Sequence, residues 1–446
     1  MADLLQVRDA PPSHGSQSRL NLVGVVTGGA AQLALVWLTA RLLSPQEAGT
    51  VFTATSVFLL VVTASPTALV WYLGRQRDVD ADGVRSAARL GIVPVVVLTA
   101  AVCVLALPVA LGVGPVAAAA PRSALGVAAV LLVLTLPAAV VLEPLLSLSR
   151  GVHDMRPTVV LDRAGRPVLQ VALTVLAALS PSVGTVLAAW CLPYLLCAGL
   201  AYLATPALRP PSGPRPALTA GSPGRGRSEA QDPVSPARFR RYLASRAGTS
   251  MVQVAFARLD VVIVAALTGP REAAVYTVAT RFVVLAQMVQ QALATAAEPL
   301  LARAGHATRA TTAEESVGEL YRAATRWSVL LLWPVLCLLA VAPGSWLALF
   351  GGAYADAGQV VRVLAAAMAL AVAVGPVETV LAMHGRAGVL VWTNLGALGV
   401  MVALDLALVP AHGASGAALG WAAAIVCKNL AGLWLVVRLT GDGPVE

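Results

Sequence analysis

Eight ionisable side chains stand inside long apolar runs of this chain: Glu143, Arg258, Asp260, Arg281, Glu298, Glu378, Asp405 and Lys428. A charge at the centre of a bilayer costs roughly 2.5–3.5 kcal/mol on insertion scales. Such residues are therefore paired, or face a wet cavity, or both. Their chemistry is recognition and ion handling. A guanidinium offers a planar fork of donors that fits phosphate. A carboxylate held at membrane depth can couple to a proton or cation. Arg258 and Asp260 are two residues apart, so on a helix their side chains point about 200° apart. Asp260 falls on a polar stripe, and Arg258 points toward the other side. Lys428 stands mid-run and needs a carboxylate, for which Asp405 and Glu378 are candidates. Glu143, Glu298 and Glu378 lie toward the ends of their runs, within reach of interfacial water.

Uncharged polar residues extend the pattern. Asn21, Gly24, Gly28, Gln32 and Thr39 share one helical face of the first run. Ser245, Thr249, Gln253 and Asp260 do the same in the seventh, and Gln287, Gln291 and Glu298 in the eighth. Residues three, four and seven apart share a helix face. A lipid-facing surface has no use for such stripes. Helix packing through small and polar residues accounts for one stripe. Stripes on the leading helices of both halves point instead to a hydrophilic cavity between two bundles.

No catalytic constellation accompanies them. The histidines, His14, His153, His306, His384 and His412, lie in the tail or near loops. No Gly-rich phosphate loop follows a strand pattern. Glu143 and Glu378 resemble a glycosidase pair on paper but fall in different bundles. The loops on one side are too short for a polymerase-type acceptor site. The expectation is a protein that is not an enzyme and has no metal or cofactor.

The elements that position these residues follow from composition. The chain has 446 residues, 58% hydrophobic and 12% charged, with a mean hydropathy of +0.79. Soluble domains carry about 25% charged residues. Apolar stretches near 20 residues recur along the chain, each long enough to span the hydrocarbon as a helix. Twelve are expected, near 21–42, 49–73, 88–113, 123–149, 158–180, 183–205, 240–267, 272–300, 325–350, 358–383, 388–410 and 414–438. Pro94, Pro108, Pro137, Pro334 and Pro376 would kink these helices without ending them. The fold class is thus an all-α integral membrane protein. The five cysteines fall inside apolar runs as small packing residues. The first run is too long for a signal peptide.

Arginine places the loops. Arg75, Arg77, Arg85 and Arg89 follow span two; Arg150, Arg156, Arg163 and Arg166 follow span four; Arg303, Arg309 and Arg322 follow span eight. The opposite loops are nearly bare. Both termini are therefore expected in the cytoplasm and the protein in the plasma or inner membrane. The same reading explains the net charge of +9 without nucleic acid as a partner. Residues 1–20 read as a disordered tail. Residues 206–237, rich in Pro, Gly and Arg, read as a flexible linker. It divides a first six-span lobe, 21–205, from a second, 238–440. Two such lobes share an orientation and fit a pseudo-twofold axis along the membrane normal.

A duplication supports that division. Ser44-Pro45-Gln46-Glu47-Ala48 recurs as Gly269-Pro270-Arg271-Glu272-Ala273, with Ala54-Thr55 and Ala279-Thr280 at the same distance. Glu143 and Glu378 also sit in matching contexts at the ends of spans four and ten. Ser44, Pro45 and Glu47 compose a capping box, and the second copy repeats it with a glycine cap.

These residues carry a family resemblance. Arg41-Leu-Leu-Ser-Pro-Gln-Glu-Ala-Gly49 resembles the opening signature of polysaccharide-biosynthesis flippases. Arg258-Leu-Asp260, Gly269, Tyr276, Ala279 and Arg281 are similar to the signature of their second lobe. Phe350-Gly351-x-x-Tyr354 matches a further element. The family belongs to the multidrug, oligosaccharidyl-lipid and polysaccharide exporter superfamily. The resemblance implies two six-helix lobes in a V around a central cavity. It implies alternating access and movement of a polyprenyl-pyrophosphate-linked oligosaccharide to the outer leaflet. Its partners would be that lipid, membrane lipids, and polysaccharide polymerase or glycosyltransferases. Lipid II flippases have two further helices, for which this chain lacks room. Multidrug exporters commonly carry a carboxylate in the first helix, and span one has none.

On this basis Arg258 and Arg281, with Arg246 near the entrance, are expected to hold the phosphates. Gln32, Gln253, Gln287 and Gln291 are expected to contact sugar. Asp260, Glu143, Glu378 and Lys428 are the candidates for ion coupling or gating. Two other readings stand beside this one: a cation-coupled exporter of drugs or metabolites, and a non-transporting scaffold that recruits enzymes through the linker.

Overall fold

The computed structural model describes residues 14–63, 99, 124–151, 156–204, 236–305, 310–375, 377–378, 381 and 387–440. The protein is an all-α integral membrane protein. Among the described residues, eight segments are long and apolar enough to span a bilayer. Lipid-facing side chains such as Trp392, Trp327, Leu134 and Leu330 are two-thirds or more exposed, which a soluble surface would not sustain.

The first half comprises α1 (His14–Leu42), α2 (Pro45–Val62), α3 (Ala124–Gly151), α4 (Arg166–Ala177) and α5 (Val183–Leu203). A π-helical stretch, Thr158–Gly165, leads into α4. The second half comprises α6 (Pro236–Thr268), α7 (Pro270–Gly305), α8 (Ala310–Val341), the short α9 (Pro343–Ala348), a 3₁₀ turn (Gly352–Ala357) and α10 (Gly358–Val374). A last helical run, Ala387–Thr440, breaks at Gly413 with φ 55°. There the chain reverses: Gly416 lies against the Leu408 carbonyl and Gly420 against Asp405. The run is therefore a hairpin of α11 (387–412) and α12 (414–440), in agreement with the two spans expected.

The linker at 206–235, span three except Thr99, and residues 1–13 lie outside the described residues. Several expectations are corrected. Span ten ends at Val374, because Gly375 adopts φ 85° and leaves the helix one residue before Pro376. A Cβ at Gly375 would meet the Thr325 hydroxyl at 2.1 Å, and Tyr321 of α8 donates to the Val374 carbonyl. Arg322 lies within α8, and Arg163 and Arg166 lie within helix, so none is a loop residue.

The two copies of the duplicated motif behave differently. At α2 the capping box forms: the Ser44 amide donates to Glu47 Oε2 at 3.1 Å and the Glu47 amide to Ser44 Oγ at 3.4 Å. At α7 the glycine has no side chain to return the bond. Glu272 turns away and accepts from the Ala414 amide at 3.0 Å, capping α12 instead. This corrects the expected repeat of the box, and ties the start of α7 to the start of α12.

Two cores result. One lies within the first half, with Leu35, Phe58, Leu142, Leu146, Trp190 and Tyr194. The other crosses between halves, with Val36, Ala48 and Phe52 packed with Tyr276, Phe282 and Phe350. The second core sits where α1 gives way to α2 and α6 to α7, here termed the far end.

Candidate functional site

Between the halves lies a cavity of about 320 Å³, lined by Gly28, Gly29, Gln32, Leu33, Leu59, Arg166, Trp190, Tyr194, Arg258, Arg281, Val284, Leu285 and Met288. Glycines on α1 set its position. A Cβ at Gly28 would fall 2.2 Å from the Arg163 carbonyl, so α1 lies directly on the π-helical stretch. A Cβ at Gly29 would meet Met288 of α7 at 2.1 Å. Gln32, one turn on, then faces the cavity.

The wall from the first half is built on Arg166. Its Nε donates to Asp162 Oδ1 at 2.9 Å, and its Nη2 ion-pairs with the same oxygen at 2.9 Å. Its Nη1 donates to the Tyr194 hydroxyl at 3.1 Å and to Gln170 Oε1 at 3.4 Å. The guanidinium lies 4.5 Å from the centre of the Tyr194 ring, within cation–π range. Gln170 in turn donates to the Trp190 carbonyl at 2.7 Å, which locks α4 to α5.

The wall from the second half carries Arg258 of α6 and Arg281 of α7. Arg281 donates through Nε to the Thr277 carbonyl at 3.1 Å and through Nη2 to Thr280 Oγ1 at 3.4 Å. Arg258 makes no hydrogen bond among the described residues, and neither arginine ion-pairs with a carboxylate there. Both remain available to an anion. Arg281 lies eleven residues along α7 from its start at the far end, a depth of roughly 16 Å at about 1.5 Å per residue. The cavity narrows toward the far end into a slot of about 40 Å³ lined by Gln32, Thr39, Thr55, Thr277, Arg258 and Arg281, among others. The Thr277 hydroxyl there has no hydrogen-bond partner among the described residues.

Asp260 is turned the other way. It is 3% exposed, and its Oδ2 accepts from the Tyr276 hydroxyl at 2.6 Å. The expected assignment of faces on α6 is thereby reversed: Arg258 reaches the cavity and Asp260 enters the core. The cationic head needs water or an anion, whereas the carboxylate finds the Tyr276 donor in the core. Near Asp260 lies Asp405 of α11, wholly buried, with no hydrogen-bond partner on either carboxylate oxygen among the described residues. It fits only because Gly420 lacks a Cβ, which would fall 2.1 Å from Oδ1.

Of the expected site residues, the structure brings Gln32, Arg258 and Arg281 together. Gln253 is exposed and Gln287 half-buried; neither is among the lining residues. The side chains of Arg246 and Gln291 lie outside the described residues. Lys428 pairs with Glu378 at 2.6 Å and reaches Asn394 at 3.5 Å, so Asp405 is not its partner. This pair ties α12 to the segment after α10 and is not part of the lining. Glu143 is half-buried on α3, is partnered, and is also absent from the lining. Arg166, Tyr194 and Trp190 were not anticipated as site residues. An aspartate four residues before an arginine, at the head of an apolar run, is the signal that marks the first of them.

No protein-family model and no curated protein sequence matches the chain. Solved structures do. A lipid II flippase, MurJ, in an inward closed conformation has a TM-score of 0.71 at 10% identity, over 94% of this chain and 87% of that one. An inward-facing multidrug resistance MATE family transporter of the MOP superfamily has 0.69 at 15% identity, over 93% and 95%. An outward-facing MATE transporter has 0.56 at 12% identity, over 98% of each chain. The chain thus has the fold of these transporters, with helices of its two halves around a cavity.

Proposed function

We propose that the protein is an alternating-access flippase that moves a polyprenyl-pyrophosphate-linked oligosaccharide from the inner to the outer leaflet. The observation that carries this reading is the pair Arg258 and Arg281, without an ion-paired carboxylate among the described residues, at the wall of a cavity between the lobes. Two such charges at bilayer depth would each cost roughly 2.5–3.5 kcal/mol if left without water or an anion. A pyrophosphate supplies the anion, and the guanidinium forks match its oxygens. Gln32 and the threonines of the slot offer hydrogen bonds to sugar hydroxyls. The lipid tail stays in the bilayer beside the opening. The membrane is the plasma or inner membrane, with both termini in the cytoplasm and the far end facing outward. The linker before Pro236 tethers the two lobes.

Ion coupling is assigned to Asp260 together with Asp405. A buried carboxylate without partners is costly as a bare anion, so it takes a proton or a cation. Its neighbour Asp260 sits two residues from Arg258 on α6, which links its state to the cavity wall. Lys428 and Glu378 act as a tie between helices.

A second reading is a cation-coupled exporter of the same fold, supported by the likeness to the MATE transporter, which is nearly equal in TM-score. The cavity's net positive charge then favours an anionic cargo over the cationic drugs a basic cavity would repel. Depletion of the protein, followed by analysis of lipid-linked intermediates, separates the readings. Accumulation of a completed repeat unit on the inner leaflet is expected. Normal lipid-linked pools with altered drug resistance would overturn the flippase in favour of export.

A further inference from the structure

We infer that the far end carries a latch between the lobes, made by Trp37 and Arg41 on the Leu349 carbonyl and by Gly49 seated on Pro270, whose release opens the cavity at that end. The need for release rests on the transport reading; the latch itself rests on geometry. Trp37 Nε1 and Arg41 Nε, on the last turns of α1, both donate to the one carbonyl of Leu349, at 2.8 and 2.9 Å. That carbonyl ends α9, the short helix at the far end of the second lobe. Its neighbour Phe350 meets Phe282 edge-on, with ring centres 5.8 Å apart. Gly351, at φ 139°, turns the chain away immediately after.

The second part is a backbone contact. A Cβ at Gly49 would fall 1.7 Å from the Pro270 carbonyl oxygen and 2.4 Å from its carbon. The two copies of the duplicated motif therefore meet here, the first through Gly49 and the second through its proline. Ala48, Ala273 and Ala274 beside them are fully buried. Nothing larger than hydrogen fits at position 49 while the lobes stay together. The two parts suit a reversible closure. The bonds to Leu349 are made by exposed side chains, so solvent can take the place of either partner once the lobes part. The Gly49 contact demands only proximity.

The test uses the full chain in proteoliposomes, with its native cysteines replaced by alanine. Spin labels are placed at Ser180 and His412, exposed far-end positions on opposite lobes, and their distance distribution is measured. Gly49→Ala is the first variant. Alanine is the better helix former, so α2 gains while the lobes are wedged apart. The double change Trp37→Phe and Arg41→Gln is the second. Each is expected to raise the ratio of long to short distances at least tenfold, the scale of one lost charge-assisted hydrogen bond. If Gly49→Ala does not yield folded protein, the double variant decides alone. Unchanged distributions would overturn the latch and leave the flippase reading standing. Opened distributions, with normal lipid-linked pools on depletion, would keep the latch and remove the flippase.

Discussion

The two walls of the cavity both present arginine, but they hold it differently. Arg166 is enclosed by its own lobe: a carboxylate, a tyrosine hydroxyl, an amide and an aromatic face surround it. Arg281 is held only by the Thr277 carbonyl and the Thr280 hydroxyl, and among the described residues neither it nor Arg258 pairs with a carboxylate, because Asp260, the nearby acid, is committed to Tyr276 behind the wall. The first wall is thus neutral and rigid, and the second carries net positive charge. An anionic head group gains little from the first and much from the second. On the proposed reading, the acids that would answer an ion gradient, Asp260 and Asp405, lie in the second lobe as well, so recognition and coupling would share one lobe and the other would supply a fixed surface to work against.

The strongest way to break this contrast is to neutralise the second wall. Arg258→Gln with Arg281→Gln is expected to lower transport at least 100-fold while folded yield holds. Each charge-assisted bond is worth about 1.5–3 kcal/mol, and about 1.4 kcal/mol is tenfold. Flux of a lipid-linked substrate in proteoliposomes measures it. Asp405→Asn should then show that coupling lies in the same lobe. Its shape is preserved and its charge is lost, so stability is expected to hold or rise, while the dependence of flux on pH or cation gradient flattens several-fold.

Asp162→Asn sharpens the comparison from the other side. Arg166 loses its counter-charge, and the first wall should lose about 1–3 kcal/mol of stability. The figure is kept below that of a fully buried pair because Asp162 is one-quarter exposed. Thermal unfolding in detergent gives the shift, and affinity for the anionic ligand should fall less than in the double arginine variant. Lys428→Gln is expected to matter least. Glu378 is more than half exposed, so loss of the pair should cost at most about 1 kcal/mol and leave flux within twofold.

Much of this was legible in the residues. A charge within an apolar run has few explanations, so Arg258 and Arg281 could be placed at a wet cavity without coordinates. Gln32 followed from the polar face of α1, and the two-lobe plan from the repeated Pro-x-Glu-Ala motif. The faces of α6 were not legible. A stripe marks which residues align but not whether that side meets the cavity or the core, and the stripe that holds Asp260 proved to face the core. Arg166 reads as a loop charge because it stands near the start of its run, and a π-helical stretch leaves no periodicity to reveal it. Glu272 reads as a local cap, since its true partner, Ala414, lies 142 residues away. The latch is equally silent: a carbonyl acceptor is the same atom in every residue.

The most direct test of the basic cavity is binding to the purified protein. A polyprenyl-pyrophosphate lipid and its uncharged polyprenol counterpart are compared by native mass spectrometry on the unaltered protein and on the Arg258→Gln, Arg281→Gln double variant. The pyrophosphate lipid should bind the unaltered protein at least 100-fold more tightly than the polyprenol, and the variant should lose that preference. Equal retention of the pyrophosphate lipid by both proteins would contradict the account.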